Sequence, residues 1–313
     1  MKMNNTIKST LILTLTAFIW GMGFVAQRSG MEHVGPFFFS GLRMLLGAAT
    51  LLVVIYISGT RTRRAGREGK QYVPTVRLLA GGAICGTVLF LAGNFQQVGM
   101  VVTSASKAGF LTALYIVLVP IVGIFLKHKT HWNTWVSVAV AAVGLYFLCI
   151  TANLDIQGSD LIVLIGALFW AVHILVIDRY VPTLSPTDVL KLCMIQFAVG
   201  GILSLICALF FDGFFVSGGF AWAEIVQVLP ALLYAGILST GAGFTLQAVG
   251  QKYANPSAAS IIMSLEAVFS VVGGFLILNE SFTGRETLGC VLMFAAVILA
   301  QMPIGGNAKS KAN

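Results

Sequence analysis

Charge is what this chain has least of. Only 10% of its 313 residues are Asp, Glu, Lys or Arg, and 58% are apolar; soluble domains carry about 25% charge. That shortage excludes an ordinary water-soluble domain. Cysteine is sparse too: Cys85, Cys149, Cys193, Cys207 and Cys290 stand singly inside apolar segments. With no CxxC pair and no His/Cys cluster, neither a disulfide framework nor a zinc site is indicated, and the five read as small buried hydrophobes. No P-loop is present, so the chain does not draw on ATP through a site of its own. Nucleophile elbow, HExxH and phosphoryl-transfer motifs are missing as well, and no cofactor is implied.

What the chain has is apolar runs of at least 18 residues, repeated from end to end. Each is long enough to cross a bilayer as a helix. The expected spans are 8–26, 35–58, 76–99, 103–126, 132–151, 159–179, 187–211, 224–249, 256–278 and 286–304. They predict an all-α membrane protein of ten transmembrane helices, with no room for a separate soluble domain. The first span follows Lys2 and Lys8 in the manner of a secretory signal peptide. An internal counterpart argues against that, because Ala17-Phe18-Ile19-Trp20 matches Ala167-Leu168-Phe169-Trp170.

The basic residues orient the spans. With the N-terminus in the cytoplasm, the inner segments hold Lys2, Lys8, Arg61, Arg63, Arg64, Arg67, Lys70, Arg77, Lys127, Lys129, Arg179, Lys252, Lys309 and Lys311. The outer segments hold only Arg28 and Arg285, while Arg43, Lys107 and Lys191 fall within spans. This bias satisfies the positive-inside rule and predicts a multi-pass protein of the cell membrane with both termini cytoplasmic. The net charge of +8 is therefore a matter of topology, not of nucleic-acid binding. The run from Arg61 to Lys70 reads as a topology anchor, with contact to anionic lipid headgroups as a second role.

The two halves are copies. Shifted by 151, residues 93–148 lie on 244–299 without a gap, placing Gln96 on Gln247, Ser106 on Ser257, Leu114 on Leu265, Val117 on Val268 and Gly123 on Gly274. Pro36 matches Pro186, and Trp20 matches Trp170, at a shift of 150. The expected units are 1–153 and 154–313, of five helices each. An odd number of spans inserts the second copy upside down, the inverted-repeat architecture of many secondary transporters, whose site lies near the midplane where the repeats meet.

The run 261–280 carries Glu266 near its middle. A carboxylate in hydrocarbon is costly unless it faces a partner or a water-filled cavity. Nine residues past Ser257, Glu266 lies roughly 14 Å along its helix, about half the hydrocarbon thickness. It reads as a cavity carboxylate that holds a cation or exchanges a proton, or else as a charge pinning two helices. Tyr115 is its repeat equivalent, either a donor to that carboxylate and a stacking surface or a packed ring. Arg43 and Lys107 either snorkel from helix ends or counter the charge of Glu266 or of a substrate carboxylate. His173 is a proton relay or a packing residue. Trp20 and Trp170 either stack on substrate from corresponding places or serve packing and interfacial anchoring. Gln96, Gln247 and Asn94 either bond across helices or line a cavity entrance. The small-residue runs Gly82–Gly86, Gly241–Gly243 and Gly273-Gly274 let helices approach closely. Pro120 is expected to kink the fourth span, and Pro256 to open a helix.

The set of motifs resembles one family. Phe18-Ile19-Trp20-Gly21, Phe39-Ser40-Gly41-Leu42-Arg43 and Ser106-Lys107-Ala108-Gly109-Phe110-Leu111-Thr112-Ala113-Leu114-Tyr115 running to Pro120 carry the resemblance in the first half. Ala258-Ala259-Ser260, Ser264-Leu265-Glu266-Ala267-Val268-Phe269 and Leu278-Asn279-Glu280 carry it in the second. Over about residues 10–304 the chain is similar to the drug/metabolite transporter superfamily, with two EamA-type repeats. The resemblance implies export or exchange of small metabolites, amino acids or amphiphilic drugs through a central cavity. Two positions depart from it: His128-Lys129 replaces a Gly-Glu pair, and Ala267 stands where many members have Pro, which removes an expected kink. The expected function is a secondary carrier working by alternating access on a small-molecule substrate, with a possible coupling proton or ion. The alternatives are a membrane-embedded enzyme, for which Asp155, Asp160, Asp212, Glu224, His33, His128 and His131 are too scattered, and a non-transporting scaffold or sensor.

Overall fold

The computed structural model describes residues 5–31, 33–64, 75–103, 105–128, 130–150, 157–214, 222–278 and 283–302. Leading out from the first described residue, α1 (Asn5–Gly30), α2 (Pro36–Arg64) and α3 (Thr75–Gly99) are the first three spans. The fourth is divided into α4 (Ala105–Ala113) and α5 (Tyr115–Phe125), and the fifth is α6 (Trp132–Cys149). The sixth and seventh are α7 (Gly158–Tyr180) and α8 (Pro186–Phe211). The eighth runs through α9 (Trp222–Leu233), a π-helical segment (Tyr234–Phe244) and α10 (Thr245–Gln251). The ninth is divided into α11 (Pro256–Met263) and α12 (Glu266–Leu278), and the tenth is α13 (Gly284–Gln301). Among the described residues, nine of these spans are long and apolar enough to cross a membrane, and Pro256–Val272 supplies a shorter apolar helix. Together they form ten transmembrane helices in two inverted repeats of five.

Local chemistry sets the helix starts. Ser185 and Asn255 cap α8 and α11 through their side-chain oxygens, each followed by a proline whose missing N–H needs no partner there. Pro256 thus opens a helix as expected. Gln157 with Asp160, and Thr283 with Glu286, form capping boxes on α7 and α13. Asp212, buried at the end of α8, accepts from the backbone N–H groups of Phe37 (3.1 Å) and Phe38 (2.7 Å) and so caps α2 from the other half.

The repeat is visible in the packing. Helix α2 packs on α8, and α6 on α13, each the repeat partner of the other. Contacts of α3 with α7 are mirrored by those of α1 with the π segment and α10. The succession of buried, half-buried and exposed residues along 11–20 is identical to that along 161–170. In the α6–α13 pair, a Cβ on Gly289 would stand 2.8 Å from the Gly144 carbonyl oxygen and one on Gly144 3.1 Å from that of Gly289, so both glycines are needed for the close approach. Gly82 and Gly86 likewise lie against α8.

One expectation is corrected and one addition is made. Pro120 lies inside α5, and the fourth span is interrupted earlier, at Leu114. The ninth span is interrupted although Ala267 has replaced the usual proline, because Ser264 and Leu265 already break it. The expectations concerning Lys2, Arg67, Lys70, Lys129, Asp155, Asn279, Glu280, Lys309 and Lys311 lie outside the described residues. So do those on the side chains of Arg61, Arg63, Arg64, Ser106, Glu224, Gly273, Gly274 and Leu278.

Candidate functional site

The two interruptions share one geometry. Leu114 has φ −61° and ψ −8°, and Ser264 has φ −64° and ψ −9°. Around each, backbone bonds shorten from i−4 to i−3: Leu114 N–H to Leu111 and Val117 N–H to Leu114 in one, Leu265 N–H to Ile262 and Ala267 N–H to Ser264 in the other. Such tightening of an α-helix marks hinges and sites of strain. In the ninth span the Ser264 hydroxyl turns back to the Ile261 carbonyl oxygen at 2.8 Å, which satisfies a polar group at the break without help from proline.

The first residue beyond each interruption is Tyr115 in α5 and Glu266 in α12. The Tyr115 hydroxyl donates to Glu266 Oε1 at 3.3 Å, across 151 positions of sequence. Both side chains are buried, at 3% and 4% exposure. Gly21 of α1 makes room for the turn that holds Glu266: a Cβ there would lie 2.5 Å from the Glu266 carbonyl oxygen and 2.9 Å from the Ser270 nitrogen.

A narrow cavity of about 40 Å³ lies at this level. In this state it is smaller than ordinary small-molecule sites. Trp20, Phe24 and Gln27 line it from α1, Arg43 from α2, Gln96 from α3, and Thr112 and Tyr115 from the fourth span. Trp170 and Ile174 of α7, Ser239, Phe244 and Gln247 of the eighth span, and Met263 and Glu266 of the ninth complete it. One wall is aromatic. Phe244 sits 4.7 Å from the Trp20 ring and 5.6 Å from the Trp170 ring, nearly parallel to the latter at 12°. The indole nitrogens are occupied: Trp170 Nε1 donates to Gln96 Oε1 at 2.7 Å, and Trp20 Nε1 to the Ser239 carbonyl oxygen at 3.1 Å. The indole N–H groups are thus spent within the protein, and one face of Trp170 lies on Phe244.

The halves differ at this wall. Gln247 is the repeat equivalent of Gln96, yet Trp20 bonds the backbone of the π segment instead, and Gln247 Oε1 is buried without a partner. Arg43 is 4% exposed and makes no hydrogen bond or ion pair among the described residues; its Nε is buried and unpartnered. Thr112 Oγ1 is unpartnered too.

The candidates from the sequence therefore divide. Glu266, Tyr115, Trp20, Trp170 and Arg43 meet at one cavity, together with Gln96 and Gln247. His173 does not line it. It is fully buried, edge-on to Phe244 and Trp170, with Nε2 3.1 Å from Gln196 Oε1. Lys107 does not line it either; it pairs at 2.5 Å with Asp160 at the end of the bundle opposite Asn5. Asn94 bonds Ser204 across α3 and α8 at 2.8 Å. Phe244, at the centre of the wall, escaped the sequence reading. Its repeat equivalent is Gly93, so the repeat gave no signal for it.

Comparison with known proteins follows the same division of the chain. Residues 7–150 and 157–302 each match the model of the EamA-like transporter family. An uncharacterized transporter of Archaeoglobus fulgidus is 29% identical over 294 residues, covering 93% of this chain and 85% of the relative. The uncharacterized transporter YoaV of Bacillus subtilis is 24% identical over 298 residues, covering 94% and 96%. A crystal structure 17% identical in sequence superposes with a TM-score of 0.69, covering 94% of this chain and 96% of the other.

Proposed function

Since the chain belongs to the EamA-like transporter family of the drug/metabolite transporter superfamily, we propose that it is a secondary transporter that exports small metabolites, amino acids or drugs by alternating access. The observation that carries this reading is the hydrogen bond between Tyr115 and Glu266 at two matched helix interruptions. Inverted-repeat carriers place their sites at discontinuous helices near the midplane. Here the interruptions supply the hinge, the aromatic wall a surface for an apolar body, and Glu266 a group able to exchange a proton or hold a cation.

The units of the carrier are 1–153 and 154–313. Its termini lie in the cytoplasm and its helices in the cell membrane, a placement supported by the basic residues clustered at one end of the bundle. The two ends of the bundle differ. At the end opposite Asn5, Lys107 and Asp160 join α4 to α7, and the Thr103 hydroxyl donates to Asp160 at 2.9 Å. The equivalent place at the Asn5 end holds Ser9, Thr10 and Ala258, which line a cavity of about 460 Å³. This difference supports a state closed outside and loosened inside. Bilayer lipid and a small-molecule substrate are the partners; nucleic acid and chemical catalysis have no part in this reading.

The test uses purified protein in sealed vesicles. Candidate amino acids, nucleosides, sugars and cationic drugs are first screened by thermal shift, and the hits are measured for flux with and without a pH gradient. The carrier reading expects flux without nucleotide, changed by the gradient. Ligands that bind but never cross contradict it.

A further inference from the structure

We infer that the central cavity takes an organic anion with an apolar, planar body, and that Arg43 binds its charged group. The inference rests on the reading of this cavity as the substrate site. An arginine within a membrane span is costly unless it meets a counter-charge, a carbonyl or water. Arg43 meets neither a counter-charge nor a carbonyl among the described residues: its Nε is orphaned, and it makes no ion pair or hydrogen bond with protein groups there. The carboxylate lining the same cavity, Glu266, is engaged by the Tyr115 hydroxyl.

The repeat explains the asymmetry of the cavity. Phe244 of the second half corresponds to Gly93 of the first. A Cβ on Gly93 would stand 3.4 Å from Arg43 Nη2, so the guanidinium lies over the position the ring fills in the other half. Arg43 itself corresponds to Cys193, so the cation, like the carboxylate, is present in one half only. The cavity thus combines aromatic rings whose indole nitrogens are already bonded with an unpaired guanidinium, which binds carboxylate, sulfonate or phosphate in a fork. Gln247 Oε1, buried at 1% exposure without a donor, adds a preference for ligands that also carry an N–H or O–H.

The probes are benzenesulfonate and naphthalene-2-sulfonate, whose charge is permanent, against their neutral sulfonamides. Binding is read by calorimetry and thermal shift on the purified full-length chain, and flux in vesicles. The inference expects at least one sulfonate to bind tenfold or more tightly than its sulfonamide. Arg43→Gln should erase that preference while the ligand-free variant melts at the same or a higher temperature, since an unpaired buried charge has been removed; Arg43→Lys should keep part of it. Equal binding of sulfonate and sulfonamide, no binding of any probe, or full sulfonate affinity in Arg43→Gln overturns it. Sulfonate that binds at Arg43 but does not cross leaves the subsite standing and counts against the carrier reading. Flux of other substrates with no sulfonate preference does the reverse.

Discussion

At the scale of single residues, the candidate site is built from differences between two copies. Glu266 answers Tyr115, Arg43 answers Cys193, and Phe244 answers Gly93. Glu266 was legible in the sequence because a carboxylate in an apolar run is expensive and therefore conspicuous. Phe244 was not, because one more aromatic ring in an apolar run looks like any other. The partner of Lys107 was hidden for a different reason: Asp160 lies in the next repeat, and only the fold brings the two together. Small residues are as specific here as charged ones. Gly21→Ala places a methyl group against the Glu266 backbone, which cannot move without the turn it belongs to. It should destabilise the protein by about 1–3 kcal/mol and lower transport beyond the loss of folded protein. A melting curve with flux normalised to folded protein checks both.

At the scale of elements, the ten spans were legible almost to their ends, because hydrocarbon thickness fixes helix length. The interruptions were harder to place. Proline was the obvious signal, and it pointed to Pro120 in one half and, by its absence, to a straight helix in the other. The backbone instead tightens at Leu114 and Ser264, where i−3 bonding and a serine hydroxyl do what proline was expected to do. The π segment of the eighth span left no mark that periodicity detects. The end of α5 offers a separate test. Lys127 adopts φ 62°, and His128 N–H bonds back to the Gly123 carbonyl oxygen at 2.8 Å, a helix ending that glycine suits best. Lys127→Gly should raise stability by about 1 kcal/mol and leave flux unchanged, as read by thermal melting and vesicle transport.

At the scale of the whole molecule, the inverted repeat was legible as a common register of weak matches, and the fold bears it out in the pairing of α2 with α8 and α6 with α13. What the sequence did not reveal is that the two ends are held differently. If Lys107 and Asp160 keep one end shut, breaking the pair shifts the balance between states. A partly buried pair is worth about 1 kcal/mol, which is about fivefold in an equilibrium. Lys107→Gln should therefore speed labelling of Thr112→Cys, in a background without the native cysteines, by an impermeant thiol reagent added from that end. An unchanged rate would mean that the pair is no latch.

The central claim is that Glu266, held by Tyr115 between the two interrupted helices, serves transport. Glu266→Gln keeps the shape of the side chain and an acceptor for the Tyr115 hydroxyl while removing the proton and the charge. The measurement that tests the claim most directly is flux of a wild-type substrate in vesicles reconstituted with this variant. The account predicts that flux is abolished while expression and melting stay close to wild type. Transport at the wild-type rate would contradict it.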